Sequence, residues 1–263
     1  MIEEPPSQVS RLVAQGILAP QPTKARIIGI GMGPHQLTGE AADALRGCDY
    51  VVAASKRADD PLLALRHEVC TAYDVPLVAV TDPERDRVST GSTTEDADYP
   101  GAVRDWHAAR VAAYAEVIEE RGGTPGFLVW GDPSLYDSTI RVVEQLGLDF
   151  DVLPGISAPQ ALAAAHGIVL HEVGRPVLIT TQRRRDADIV AGADNVVVML
   201  TNGFDPTGVE DWQVWWGANL GTSSARIVSG RAGEVAGTIR AMRAETRDEA
   251  GWVMDLYLAR RPG

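Results

Sequence analysis

Short apolar runs alternate with segments of helical spacing through the first 154 positions. RIIGIGMG (Arg26–Gly33), YVVAA (Tyr50–Ala54), PLVAV (Pro76–Val80), FLVW (Phe127–Trp130) and the stretch Asp149–Leu153 have the length and β-branched content of buried strands. Between them, Thr38 is placed to cap a helix running to about Arg46, with Gly47 as its stop. Leu62, Leu65 and Val69 recur at helical spacing within Asp59–Cys70. Val103, Trp106, Ala113 and Val117 mark one side of a helix from about Ala102 to Arg121, ended by Gly122 and Gly123. Ile140, Val143 and Leu146 do the same for a helix from about Leu135 to Leu146. Strands alternating with helices in this way predict a mostly parallel sheet covered on both faces.

The pattern changes near Pro154 and Gly155. A helix at Ala158–His166 is followed by strand candidates at Pro176–Thr181, Asn195–Leu200, Arg226–Ser229 and Trp252–Ala259, with a further helix from about Glu234 to Ala244. Consecutive strands of this kind predict a mixed or antiparallel α+β unit. The expected organisation is an N-terminal α/β domain over 25–154 and a C-terminal α+β domain over 155–263. Residues 1–24 carry four prolines around one apolar patch, Leu12, Val13, Ile17 and Leu18, and read as a mobile arm. Thr81–Gly101 is polar and charged and reads as a long loop. No internal repeat is visible.

Composition narrows the function. The chain has 263 residues, 45% hydrophobic and 23% charged, and no run approaches the roughly 20 apolar residues of a membrane span. A formal charge of −12 argues against general binding to nucleic acid or to an anionic membrane. Two cysteines, Cys48 and Cys70, with neither CxxC nor a metal spacing, fit reduced thiols in the cytoplasm, and the acidic start MIEEPPSQVS does not look like a signal peptide. The five histidines form no HxH, HxxxH or HExxH pattern, so no metal site is expected.

Three strand exits carry the candidate chemistry. GIGMG (Gly29–Gly33) follows a strand but has GxGxG spacing, a loop continuing through Pro34, His35 and Gln36, and no acidic residue ending the second strand. A dinucleotide fingerprint therefore fails, which disfavours a nicotinamide oxidoreductase, and the turn is equally consistent with a ligand site or with a tight strand-to-helix connection. In WGDPSLYDST, Gly131 permits a backbone closed to other residues and Pro133 restricts Asp132, with Trp130, Leu135 and Tyr136 as apolar neighbours. PGISAPQ contains a capping box of Ser157 and Gln160, which by itself explains both residues. Arg183, Arg184 and Arg185 directly follow PVLITT; they read as a solvated charge run or as a clamp for carboxylates.

Taken in order, GIGMG with Leu37-Thr38, GDPSLY, PGISA, NVVVML and RIVSG resemble the tetrapyrrole methylase family over nearly everything after residue 24. DDPLLALRHEVC, DPERDR, DWHAAR, FLVWGDPSLYDSTIR, PVLITT and WWGANLGT are similar to the branch of that family that methylates C-1 of precorrin-5, with loss of acetate, in aerobic cobalamin synthesis. The resemblance implies two α/β domains with S-adenosylmethionine in the cleft between them, a tetrapyrrole substrate and a homodimer. By position it implies cofactor contacts at Met32, Gly131, Asp132, Leu135, Ser157, Ala158, Met199, Leu200 and Leu220. Asp132, Tyr136, Asp137 and His35 are the acid or base candidates. Pro34 stands where many members have an acidic residue, in a loop that looks one residue shorter. A polycarboxylate substrate implies cationic partners among Arg183, Arg184 and Arg185, or Arg85, Arg87, Arg104 and Arg110. Another methylase of the same fold, or an S-adenosylmethionine-binding protein without catalysis, remain the alternatives.

Overall fold

In the computed structural model the described residues are 24–55, 60–82 and 99–263, with the backbone alone for 99–107. The expected arm, apart from Lys24, and positions 83–98 of the expected loop lie outside the described residues. Two compact units divide the chain. The first comprises the described residues up to Gly29, Thr38–Val129 and Pro133–Pro154, and the second Ile30–Leu37, Trp130–Asp132 and Gly155–Gly263.

The first unit is built on five parallel strands, β1 (Ala25–Gly29), β2 (Tyr50–Ser55), β3 (Leu77–Thr81), β4 (Pro125–Val129) and β5 (Phe150–Leu153), in the order β3-β2-β4-β1-β5. The helices are α1 (Gly39–Arg46), α2 (Pro61–Ala72), α3 (Tyr99–Arg121) and α4 (Thr139–Gln145). Their starts follow from side-chain caps. Thr38 Oγ1 accepts from the Ala41 N–H at 3.1 Å, and Asp60 Oδ1 accepts from the Leu62 N–H at 3.0 Å. Ile27, Val52, Phe127 and Val129 from the strands meet Tyr114, Ile118, Val142 and Val143 from α3 and α4 in one buried cluster. Each such aliphatic side chain contributes about 1.5–3 kcal/mol by leaving water.

Two helix starts in this unit differ from the sequence reading by three residues or more. Helix α3 begins at Tyr99, inside the expected loop. Helix α4 begins at Thr139, not at Leu135, because Tyr136 sits at φ +51° and Asp137 Oδ1 takes the Thr139 N–H at 2.6 Å. A left-handed residue and an Asx turn cannot continue a right-handed helix.

The second unit holds α5 (Ala158–His166), β6 (Leu178–Thr181), α6 (Arg185–Val190), β7 (Asn195–Met199), β8 (Gln213–Ala218), β9 (Arg226–Arg231), α7 (Ala232–Ala250) and β10 (Asp255–Arg260). The sheet order is β6-β7-β10-β8-β9, with β6 and β7 parallel and the remaining neighbours antiparallel. Strand β8 and helix α6 were not foreseen from the pattern of apolar positions. Helix α7 buries Ala232, Ala236 and Ile239, spaced four and three apart, against Trp216 and Tyr257. Asp255 fastens this layer: its buried carboxylate accepts from the buried Trp216 Nε1 at 3.0 Å and pairs with the partly buried Arg243 at 3.0 Å.

Candidate functional site

The three glycine turns singled out from the sequence meet within the second unit. Gly31 and Gly131 form an antiparallel bridge, with the Gly131 N–H donating to the Gly31 carbonyl at 2.8 Å and the reverse bond at 3.2 Å. Both are left-handed, at φ +68° and +66°, where a side chain would be strained. The first loop then closes on itself. Gln36 Oε1 accepts from the Met32 N–H at 2.9 Å, and the Gln36 N–H donates to the Gly33 carbonyl at 3.0 Å.

Asp132 joins the second turn to the third, its Oδ2 accepting from the Gly155 N–H at 3.0 Å. In the third turn both the N–H and the hydroxyl of Ser157 converge on Gln160 Oε1, the N–H at 2.9 Å, in the capping arrangement expected for the start of α5. The three turns touch: a Cβ on Gly131 would lie 3.4 Å from Met32 Sδ and 3.6 Å from both the Ala158 nitrogen and the Ser157 Cα.

A fourth segment, Asn219–Gly221 at the exit of β8, completes the group. A Cβ on Gly33 would sit 1.9 Å from the Gly221 carbonyl oxygen, so these two backbones are in direct contact. Leu220 packs with Met32, Ala158, Ala161 and Leu162 in one buried cluster, and Met199 lies against it. Leu200, next in the chain, is held at φ +53° and is 64% exposed. A strained, solvent-facing leucine is costly unless something apolar covers it, and such strain gathers at functional sites.

Met32, Gly131, Asp132, Ser157, Ala158, Met199 and Leu220 are thus brought together, with Leu200 at their exposed margin. Leu135 belongs to the first unit and is partly buried. Among the acid or base candidates, His35 is exposed in the 3-10 turn Pro34–Gln36, and Tyr136 is exposed in its left-handed conformation. Asp132 and Asp137 are engaged with the backbone N–H groups of Gly155 and Thr139.

The arginines separate. Arg185 is 2% exposed, its Nε bonds Asp186 Oδ1 at 2.7 Å, and its guanidinium donates to the carbonyls of Asp205 and, at 2.8 Å, Thr207. This corrects its assignment as a substrate clamp: its donors are consumed in fixing the loop after β7. Asp205 in turn accepts from the Thr207 hydroxyl at 2.7 Å and N–H at 3.0 Å, bonds that hold its carboxyl below the usual range. Arg183 and Arg184 are exposed, the latter 3.3 Å from Asp188. Arg110 is bound to Asp82 at 2.7 Å. Arg85, Arg87 and the Arg104 side chain lie outside the described residues. Gln36, Asn219 and Gly221 were missed as site residues, although an Asn-Leu-Gly at the end of an apolar run is a turn signal.

The sequence pattern of the tetrapyrrole (corrin/porphyrin) methylases matches residues 26–236. This chain belongs to that family. Among tetrapyrrole methylases it is 41% identical over 255 residues to a precorrin-6A synthase (deacetylating) of a Sinorhizobium species, an alignment spanning 90% of this chain and 95% of that enzyme. The crystal structure of a cobalamin-synthesis-related protein, CobF, of Corynebacterium diphtheriae superposes with a TM-score of 0.76 at 37% identity, covering 91% of this chain and 99% of that one. A uroporphyrin-III C-methyltransferase of Thermus thermophilus, complexed with S-adenosylhomocysteine, shares the fold at a TM-score of 0.53 and 17% identity, over 90% and 96% of the two chains.

Proposed function

We propose that this tetrapyrrole methylase uses S-adenosylmethionine to methylate precorrin-5 at C-1 and releases the acetyl group as acetate, giving precorrin-6A in aerobic cobalamin biosynthesis. The observation that carries the reading is 41% identity to a precorrin-6A synthase over nine-tenths of the chain. The assembled turns agree with it. Met32, Ala158 and Leu220 offer an apolar wall suited to an adenosyl group, Gly131 carries no side chain to obstruct approach, and Leu200 supplies an exposed apolar face. Met32, Gly131, Asp132, Ser157, Ala158, Met199, Leu200 and Leu220, all in the second unit, are the residues we assign to the donor.

S-adenosylmethionine brings its own leaving group, so the methyl passes to an electron-rich ring carbon in one displacement without a protein nucleophile. The protein's part is to align donor and ring and to keep water off the methyl, work done by a rigid apolar wall and by turns locked through Gly31–Gly131 and Asp132–Gly155. Deacetylation needs one directed water: it adds to the acetyl carbonyl, the bond to the ring breaks, and the electron pair stays on the macrocycle. Tyr136 and His35 are the exposed groups for the accompanying proton transfers, while Asp132 and Asp137 act through the turns they hold. Arg183 and Arg184, with Arg85, Arg87, Arg104 and Arg110, remain assigned to the substrate carboxylates. A cytoplasmic homodimer that does not bind nucleic acid completes the reading, the last supported by the charge of −12.

Methyl-13C-labelled donor with precorrin-5 tests this directly. Label on a quaternary carbon at C-1 is expected. Label at another ring position would mean a different methylase of the same fold, and donor binding without transfer would mean a non-catalytic protein.

A further inference from the structure

We infer that Asn219 is the positioning residue of the donor site, the group that sets where Leu220 and Gly221 stand behind Met32. The inference rests on the donor site proposed above. Asn219 is 1% exposed and sits at φ +46°, a left-handed conformation that asparagine tolerates better than most residues. Every polar group of this residue is engaged. Its N–H donates to the Met254 carbonyl at 2.9 Å, and its Oδ1 accepts from the Met254 N–H at 2.9 Å. Its Nδ2 donates to Ser224 Oγ at 3.1 Å and to the Trp252 carbonyl at 3.3 Å. Its carbonyl accepts from the Thr222 hydroxyl at 2.8 Å and from the Thr222 N–H at 3.2 Å.

These bonds tie the end of β8 to the entrance of β10 and force the chain to turn immediately. The turn delivers Leu220 into the cluster with Met32 and Ala158, and brings Gly221 so close that a Cβ there would be 2.8 Å from the Met32 carbonyl carbon and oxygen. Gly221 in turn leaves no room for a Cβ on Gly33. Met32 thus has a backbone wall behind it whose position is dictated by one side chain. Asn219 touches neither donor nor substrate in this account. It acts through Leu220 and Gly221, and small displacements of such a wall matter because binding groups must be held to within a fraction of an ångström.

The test is calorimetric binding of S-adenosylhomocysteine to the full chain and to three variants, each with a melt. Asn219→Gly keeps the left-handed turn but removes the side-chain bonds; its dissociation constant should rise about tenfold or more. With saturating donor, its kcat should stay within about twofold of the parent. Ile239→Val, which thins the packing of α7 against Trp216 and touches none of these bonds, should lower the melting point and leave affinity unchanged. Ser224→Ala removes one of the two Nδ2 bonds and should weaken affinity in the same direction by less, which keeps the test open if Asn219→Gly does not fold. Parent-like affinity in Asn219→Gly, or in Ser224→Ala when the glycine variant is unfolded, overturns the inference. So does an equal loss of affinity in Ile239→Val. Failure of the parent chain itself to bind S-adenosylhomocysteine would instead overturn the donor-site reading, and the positioning role with it.

Discussion

Gly33→Ala is expected to be far more damaging than Gly131→Ala, although only Gly131 has a backbone that alanine resists. Gly131 lies at φ +66°, which costs a non-glycine residue about 1–2 kcal/mol. Space is available there, since the nearest atoms to an added Cβ are at 3.4 and 3.6 Å, ordinary van der Waals distances. Gly33 is extended, at φ −176°, a conformation any residue adopts. Its added Cβ, however, would stand 1.9 Å from the Gly221 oxygen and 2.6 Å from the Gly221 carbonyl carbon. Relief requires the Gly221 backbone to move by about an ångström, which costs about 1–3 kcal/mol as overpacking. It also loosens the hydrogen bonds around Asn219, each worth about 1 kcal/mol. The sum is about 3–5 kcal/mol for Gly33→Ala against about 1–2 for Gly131→Ala. Urea unfolding followed by tryptophan fluorescence reads chiefly the second unit, which holds Trp130, Trp212, Trp215, Trp216 and Trp252 of the six tryptophans. Equal midpoints for the two variants, or a lower one for Gly131→Ala, would refute the contact between the two backbones.

Other consequences are as specific. Arg185→Met should lower stability by about 2–4 kcal/mol, because the carbonyls of Asp205 and Thr207 lose their donors, whereas Arg184→Met on the surface should change it by less than about 1 kcal/mol; matched melts distinguish them. Asp255→Ala leaves the partly buried Arg243 guanidinium unpaired and the buried Trp216 Nε1 without its acceptor, and should cost about 2–4 kcal/mol in the same unfolding assay. Burial pushes both thiols, Cys48 and Cys70, up to about 11, so neither should react with a disulfide reagent at pH 8 in the native protein, and both should react in denaturant. The Asp188 carboxyl is held below its usual 3.8, chiefly by the Thr180 hydroxyl. A depressed folded-state value stabilises above the unfolded pKa and is lost as pH falls through the folded one, so acid titration of stability should flatten below about pH 4 in Thr180→Val.

The alternation of strands and helices up to Pro154 was legible because it rests on local periodicity and on a cap such as Thr38, whose partner lies three residues away, and the same holds for the Ser157 cap just beyond it. Strand β8, QVWWGA, escaped notice because its apolar run is only Val214–Trp216 before Gly217, a residue that weakens a strand pattern, whereas the equally buried β7 shows four apolar residues in a row. Arg185 illustrates a harder limit. It stands in a run of three arginines that looks solvated, yet the oxygens it serves belong to Asp205, Thr207 and Tyr257, brought to it only by the folded sheet. The glycines of GIGMG were visible as a turn, but the sequence could not tell Gly31, needed for its dihedral angle, from Gly33, needed because Gly221 presses against it.

Quantifying S-adenosylhomocysteine and acetate from one incubation of the protein with precorrin-5 and S-adenosylmethionine tests the central claim most directly. The account predicts that both appear together, in equal amounts. S-adenosylhomocysteine without acetate, or neither product from folded and donor-bound protein, would contradict it.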